Sequence, residues 1–237
     1  MKPGSNTVRY VIRPCTGDGP PVVIEVPIEG VTVGDRSGSK QSALADWTRL
    51  DVEQCACCPL SDESVRCPAA VSVSGLMDHF GSLLSFDEVE ATVETSERTI
   101  QATVPAQKVL SSLLGLILGT SGCPILAKFM PMARYHLPFA TTGETTMRSV
   151  GSYLIAQYLV HQDGGEADWS LSGLKAFYED IHTINCAMVA RLRGHFDGDA
   201  GVNAVAILDL FAHYLPMAVD EQLAELRPLF DAFESRP

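Results

Sequence analysis

An α+β fold is expected from this chain of 237 residues: an N-terminal β-rich part packed on a C-terminal α-helical bundle. Strand patterns fill the first hundred residues and helical patterns fill the rest. Because the two do not alternate along the chain, a doubly wound sheet is disfavoured. An apolar content of 46% is enough for a sizeable core.

The elements follow in order. Thr7 to Arg13 and Val22 to Ile28 alternate and are rich in β-branched residues. Thr16-Gly17-Asp18-Gly19-Pro20 between them supplies turn chemistry, so a hairpin is expected. Glu29 to Ala45 reads as a polar loop. Trp47 to Gln54 alternates in imperfect register and is expected to be a strand running into the cysteines. Ala69 to Leu84 carries apolar residues at three-to-four spacing, a helix. Glu88 to Thr95 and Arg98 to Val104 form a second expected hairpin across Ser96-Glu97.

From Ala106 onward the pattern is helical. Val109 to Gly119 is apolar almost all round, which implies burial. Pro124 to Tyr135 is expected as one helix with proline in its first turn. Thr141-Thr142-Gly143-Glu144 fits a capping box opening a helix to about His161. Ser170 or Ser172 is the expected cap of the next helix, to about Arg193. Val202 to Tyr214 should end at Pro216, and Pro228 should kink or shorten the last helix, Glu221 to Phe233. Residues 1–104 thus hold the β-rich part with the cysteine segment and one helix, and 105–237 the bundle. The two are expected to form one compact unit.

The formal net charge of −12 repels nucleic acid, and no basic stripe is present. No apolar stretch follows a basic start, so no signal peptide and a cytoplasmic location are expected. The uncharged run Val109 to Ala127 is broken by Gly119 to Gly122 and Pro124, which argues against a membrane span.

Cysteines are the most informative residues. Cys55, Cys57, Cys58 and Cys67 fall within thirteen residues, and Cys58, Cys67 and Cys123 are each followed by proline. Their odd total of seven, without a signal peptide, argues against a disulfide framework. Cys55-x2-Cys58-x8-Cys67 suits a metal site, since a tight turn aims two thiolates at one ion and a third closes from the other side. Cys123 is the first candidate for the fourth ligand, with His136 and His79 behind it. Cys57 is an alternative to Cys55. Zinc fits ahead of an iron–sulfur cluster, because the spacing matches none of the standard cluster runs. A non-catalytic interaction protein with inert cysteines, packed as small apolar residues, remains the plain alternative.

Cys123 also has a reading of its own. At a helix start, exposed amides and the dipole would lower its pKa. It would then serve as nucleophile or redox centre with His136 as base, and a thiolate–imidazole pair would raise the histidine pKa. Met130, Met132 and His136 are either a soft-metal or haem pocket or core filler. Glu179-x-x-His182 is half of a di-iron motif. A second half is missing, Asp209 and His213 replace it poorly, and a solvated or hydrogen-bonded face is the plain reading. No nucleophile elbow, phosphate loop or dinucleotide fingerprint occurs.

Cys55-x-x-Cys58-Pro59-Leu60, Cys67-Pro68-x-Ala70, Ser121-Gly122-Cys123-Pro124-Ile125-Leu126 and His136-Leu137-Pro138-Phe139 together resemble an uncharacterised bacterial protein family. Ala156-Gln157-Tyr158 and Leu208-Asp209-Leu210-Phe211 look similar too. The resemblance covers roughly Trp47 onward. It implies that these motifs belong together and brings no activity with it.

Overall fold

The computed structural model describes residues 6–15, 20–28, 45–61, 63–80, 85–196 and 199–234. The expected loop over 29–44 and the centre of the first turn lie outside them. Two hairpins build one antiparallel sheet from β1 (Thr7–Pro14), β2 (Val22–Pro27), β3 (Glu88–Glu94) and β4 (Thr99–Pro105). The strand order is β2-β1-β3-β4. Register puts Tyr10 opposite Ile24 and Val93, and Val93 opposite Ile100. One face therefore carries Val8, Tyr10, Ile12, Val26, Val89, Ala91 and Val93, all buried. This is the two-residue alternation of a sheet with one wet side. On the other face Arg9 bridges Glu25 and Glu94.

The helices cover the apolar face and one another. They are α1 (Pro68–Phe80), α2 (Ala106–Gly119), α3 (Met130–Arg134), α4 (Thr142–Gln162), α5 (Ser172–Arg193), α6 (Ala200–Leu226) and α7 (Asp231–Glu234). α2 is buried along most of its length, as its all-round apolarity requires. One apolar cluster runs from Tyr10 and Val93 in the sheet through Leu110 and Leu113 to Ile181 and Leu215 in the bundle. The α+β fold expected from the sequence is the one observed. No single helix among the described residues is long and apolar enough to cross a membrane.

Four local expectations are corrected. Trp47 to Gln54 is no strand: Asp46–Thr48 is a 3-10 turn, and only an isolated bridge joins Arg49 to Arg66. The cause is Arg191 on α5. Its buried guanidinium donates to the carbonyls of Trp47 and Arg49, each at 2.7 Å, and of Leu50 at 3.2 Å, which a ladder would have used. Pro124 to Tyr135 splits into a 3-10 turn, Leu126–Phe129, and the short α3, with Pro131 in its first turn.

The third correction concerns α5. Its N-cap is Leu171 at φ 61°, with no side-chain cap from either serine. The Asp168 carboxylate takes that role, accepting from the Gly173 N–H at 2.7 Å and the Ser170 N–H at 2.9 Å. Fourth, Pro216 does not end its helix. It sits inside α6, whose axis turns by 83° between Gly201–Met217 and Val219–Phe233. The Thr141 capping box is present as expected, and α6 gives way to a 3-10 turn, Arg227–Phe230, around Pro228.

Candidate metal centre

α5 buries Leu174, Phe177, Ile181, Ile184 and Met188 on one stripe, and α6 buries Ala204, Val205, Ala212 and Leu215. Packing these stripes together fixes the flank beside them. There His182 and Cys186, four apart on α5, meet Asp209 and His213, four apart on α6; residues at that spacing share a helix face. His182 Nδ1 lies 2.9 Å from Asp209 Oδ1. Cys186 Sγ is 3.8 Å from His182 Nε2 and 3.9 Å from Nδ1. One ligand atom from each of His182, Cys186 and Asp209 lies within 4.8 Å of the others. The His213 ring centroid is 4.9 Å from that of His182. This group has the donors to coordinate a metal ion. Cys186 and His213 are exposed, while His182 and Asp209 are partly covered. The Cys186 thiol is pushed above its usual range, first by burial and then by the Asp209 charge.

The cysteines named from the sequence gather elsewhere. A turn closed by Cys58 N–H on the Cys55 carbonyl, 2.9 Å, carries the first three. Cys67 precedes α1, and its carbonyl takes the Val71 N–H at 3.0 Å. Gly122, at φ 85°, reverses the chain after α2 and delivers Cys123. All seven cysteines are free. Burial, then the neighbouring Cys57, Cys58 and Cys67, push the Cys55 thiol far up. Cys57 S–H points at the Asp180 carbonyl of α5, 3.7 Å away. These thiols are within electrostatic reach of one another. Among the described residues, however, the three donors mutually within 4.8 Å are those on α5 and α6.

Residues 28–231, most of the chain, match a family described as Domain of unknown function (DUF6901). The chain belongs to the DUF6901 family. Membership rests on that whole span rather than on the cysteine motifs. Comparison with curated proteins and with solved structures finds no match.

In this DUF6901 chain Cys123 and His136, which the sequence reading joined, each have partners of their own. Cys123 is buried, and burial pushes its thiol up despite the Leu126 and Ile125 N–H groups, which pull it down; Cys67 and Cys58 push it further up. The amides that follow Cys123 therefore favour its thiolate and are outweighed by burial. His136 turns instead to the sheet, with Nε2 2.6 Å from the Tyr10 hydroxyl. Burial, and then the Arg148 charge, lower its pKa to about 3. A thiolate–imidazole pair would have shifted both groups the other way.

Ser112 completes a relay behind His136. Its hydroxyl accepts the Phe139 N–H at 3.3 Å and lies 2.9 Å from the Tyr10 hydroxyl. Met132 and His136 share a cavity wall, and Met130 packs on the core. The side chain of His79 lies outside the described residues. Cys186 escaped the sequence reading altogether. Its one signal was that His182-x3-Cys186 and Asp209-x3-His213 have equal spacing on neighbouring helices.

Proposed function

We propose that this chain binds a divalent transition-metal ion between α5 and α6, with zinc the best-fitting metal. The observation that carries the reading is the set of donor atoms from His182, Cys186 and Asp209, all within 4.8 Å of one another. Imidazole, thiolate and carboxylate are the three ligand types of zinc, and His213, its ring centroid 4.9 Å from that of His182, is the candidate for a fourth. Asp209 either ligates directly or orients His182 by accepting its Nδ1–H, the usual partner of a ligating imidazole. The exposed side of the group leaves room for water or an exchangeable ligand. No reaction is proposed.

Cobalt(II) titration tests this, because thiolate ligation adds an intense near-ultraviolet charge-transfer band. Wild type should show saturable binding with that band, while Cys186→Ala should keep weak binding and lose one thiolate's share of it. Equal spectra for wild type, Cys186→Ala and His182→Ala would refute the site.

The gathered thiols support a second reading, a thiolate site for zinc, or alternatively an iron–sulfur cluster, held by Cys55, Cys58, Cys67 and Cys123. Cys58 and Cys67 push up the thiols of both Cys55 and Cys123, a repulsion that one cation would reverse. Such a site fits a reducing, cytoplasmic setting, where thiols stay unpaired.

A further inference from the structure

A second site, unrelated to metal, is carried by the cavity between α2, α4, α5 and α6. It measures about 620 Å³, in the range of small-molecule pockets. Its walls are mostly apolar, with Leu116, Phe129, Met132, Ile181, Leu208 and Phe211 among them. The cleft opens to solvent beside Leu210 and Tyr214, both exposed, so its apolar wall is wet until an apolar molecule displaces that water, a favourable exchange.

Three further observations define the filler. First, the chain carries a net charge of −12, yet among the described residues no Asp or Glu lines this cavity, while Lys108 and Arg148 do. Second, the Arg148 charge disfavours protonation of His136 in the same wall. A field that opposes an imidazolium favours an anion. Third, Asn185, at 2% exposure, forms part of the wall, and its Nδ2 has no hydrogen-bond partner. Buried amide donors without partners are rare. The terminal Asn torsion is soft, so a small rotation brings this donor to an acceptor in the cavity.

We propose that the cavity binds an apolar small molecule ending in a carboxylate, of the fatty-acid class. The hydrocarbon body covers the apolar wall and removes it from water. The carboxylate accepts from Asn185 and sits in the field of Arg148 and Lys108. His136, neutral and engaged with Tyr10, stays out of the charge balance.

Isothermal titration with dodecanoate, dodecanol and dodecylammonium tests the proposal. Dodecanoate should bind saturably at one equivalent, the alcohol more weakly and the ammonium not measurably. Asn185→Leu should weaken dodecanoate about tenfold, the net worth of one hydrogen bond, and leave dodecanol unchanged. Gly115→Leu should block dodecanoate and dodecanol alike. A Cβ at Gly115 meets only Leu208 Cδ2, at 3.7 Å, so its first carbon is tolerated and the rest enters the cavity. Circular dichroism confirms that each variant is folded. If Gly115→Leu does not fold, the Asn185→Leu and head-group comparisons still decide. Failure of dodecanoate to bind, equal binding of the ammonium, or an unchanged affinity in folded Asn185→Leu each overturns the proposal.

Discussion

His182 Nδ1 and Asp209 Oδ1 stand 2.9 Å apart and tie the middle of α5 to the middle of α6. The pair is partly exposed, so it contributes little to stability by itself. Its consequence is geometric. It holds one imidazole in a fixed orientation beside the Cys186 sulfur. Adding zinc should therefore raise the melting temperature of wild type and should raise it much less in Asp209→Ala. Calorimetry with and without zinc checks this. An equal rise in both proteins would mean that Asp209 neither ligates nor orients.

Arg191 governs the C-terminal end of α5. It is 2% exposed and its guanidinium binds three carbonyls of the segment Trp47 to Leu50. The Thr48 carbonyl in turn accepts the Cys67 N–H at 2.9 Å. Arg191→Met keeps much of the packing but strands buried acceptors. It should cost about 3 kcal/mol or more, and Arg191→Lys should not restore it, because one ammonium does not reproduce the planar fork. Denaturant unfolding measures both.

That same arginine explains why the Trp47 to Gln54 segment misled. Alternation at Trp47, Leu50 and Val52 is a local signal, whereas the group that claims the backbone lies more than 140 residues away. The hairpins, the buried α2 and the capping box at Thr141 were legible because their causes are local: β-branched alternation, an apolar run, a Thr-x-x-Glu pair. Asp168 displaced the serines as the cap of α5 by reaching forward from the preceding turn. The metal group was the least legible. A histidine and a cysteine four apart are ordinary, as are an aspartate and a histidine. Only the packing of α5 on α6 sets one pair against the other.

His136 predicts an acid limb of stability. Its folded pKa is about 3, against about 6.5 unfolded. Above pH 6.5 both states are neutral and the group is silent. As the pH falls from about 6.5 towards 3, the unfolded chain gains a proton that the folded chain refuses, so stability drops. The loss is at most about 1.4 kcal/mol per pH unit for this one proton. His136→Gln retains an acceptor for the Tyr10 hydroxyl and does not titrate. Its unfolding free energy should fall less steeply between pH 6 and 4 than that of wild type. Parallel slopes would show that His136 protonates freely in the fold.

Asp168 predicts an acid sensitivity of the same sign at lower pH, confined to one helix end. Hydrogen bonds from the Ser170 hydroxyl and the Gly173 N–H, with others from Tyr153 and the Ser170 N–H, hold its carboxyl well below the usual carboxylate range. The stabilisation is complete above the ordinary carboxylate pKa and is lost as the pH falls through the lowered folded value. Asp168→Ala should fray the first turn of α5 at neutral pH. Hydrogen exchange should quicken at Gly173 and leave the centre of the helix near Ile184 unchanged. Uniform exchange along α5 in wild type and variant would remove Asp168 as its cap.

Stoichiometry separates the two proposed metal sites. The α5–α6 donors and the thiols of Cys55, Cys58, Cys67 and Cys123 share no residue, so each can be removed alone. If both sites operate, wild type binds two zinc ions, and Cys58→Ser and Cys186→Ala each bind one. Filling the thiol site must also displace thiol protons, because burial and mutual repulsion hold Cys55 and Cys123 protonated at neutral pH. Proton release on zinc addition, followed in a weakly buffered solution with a pH indicator, should therefore be larger in Cys186→Ala than in Cys58→Ser. The first variant fills a site of several thiols and the second a site with one. A single zinc in wild type that persists in Cys58→Ser would leave the cysteine cluster as core packing and place the metal between the helices.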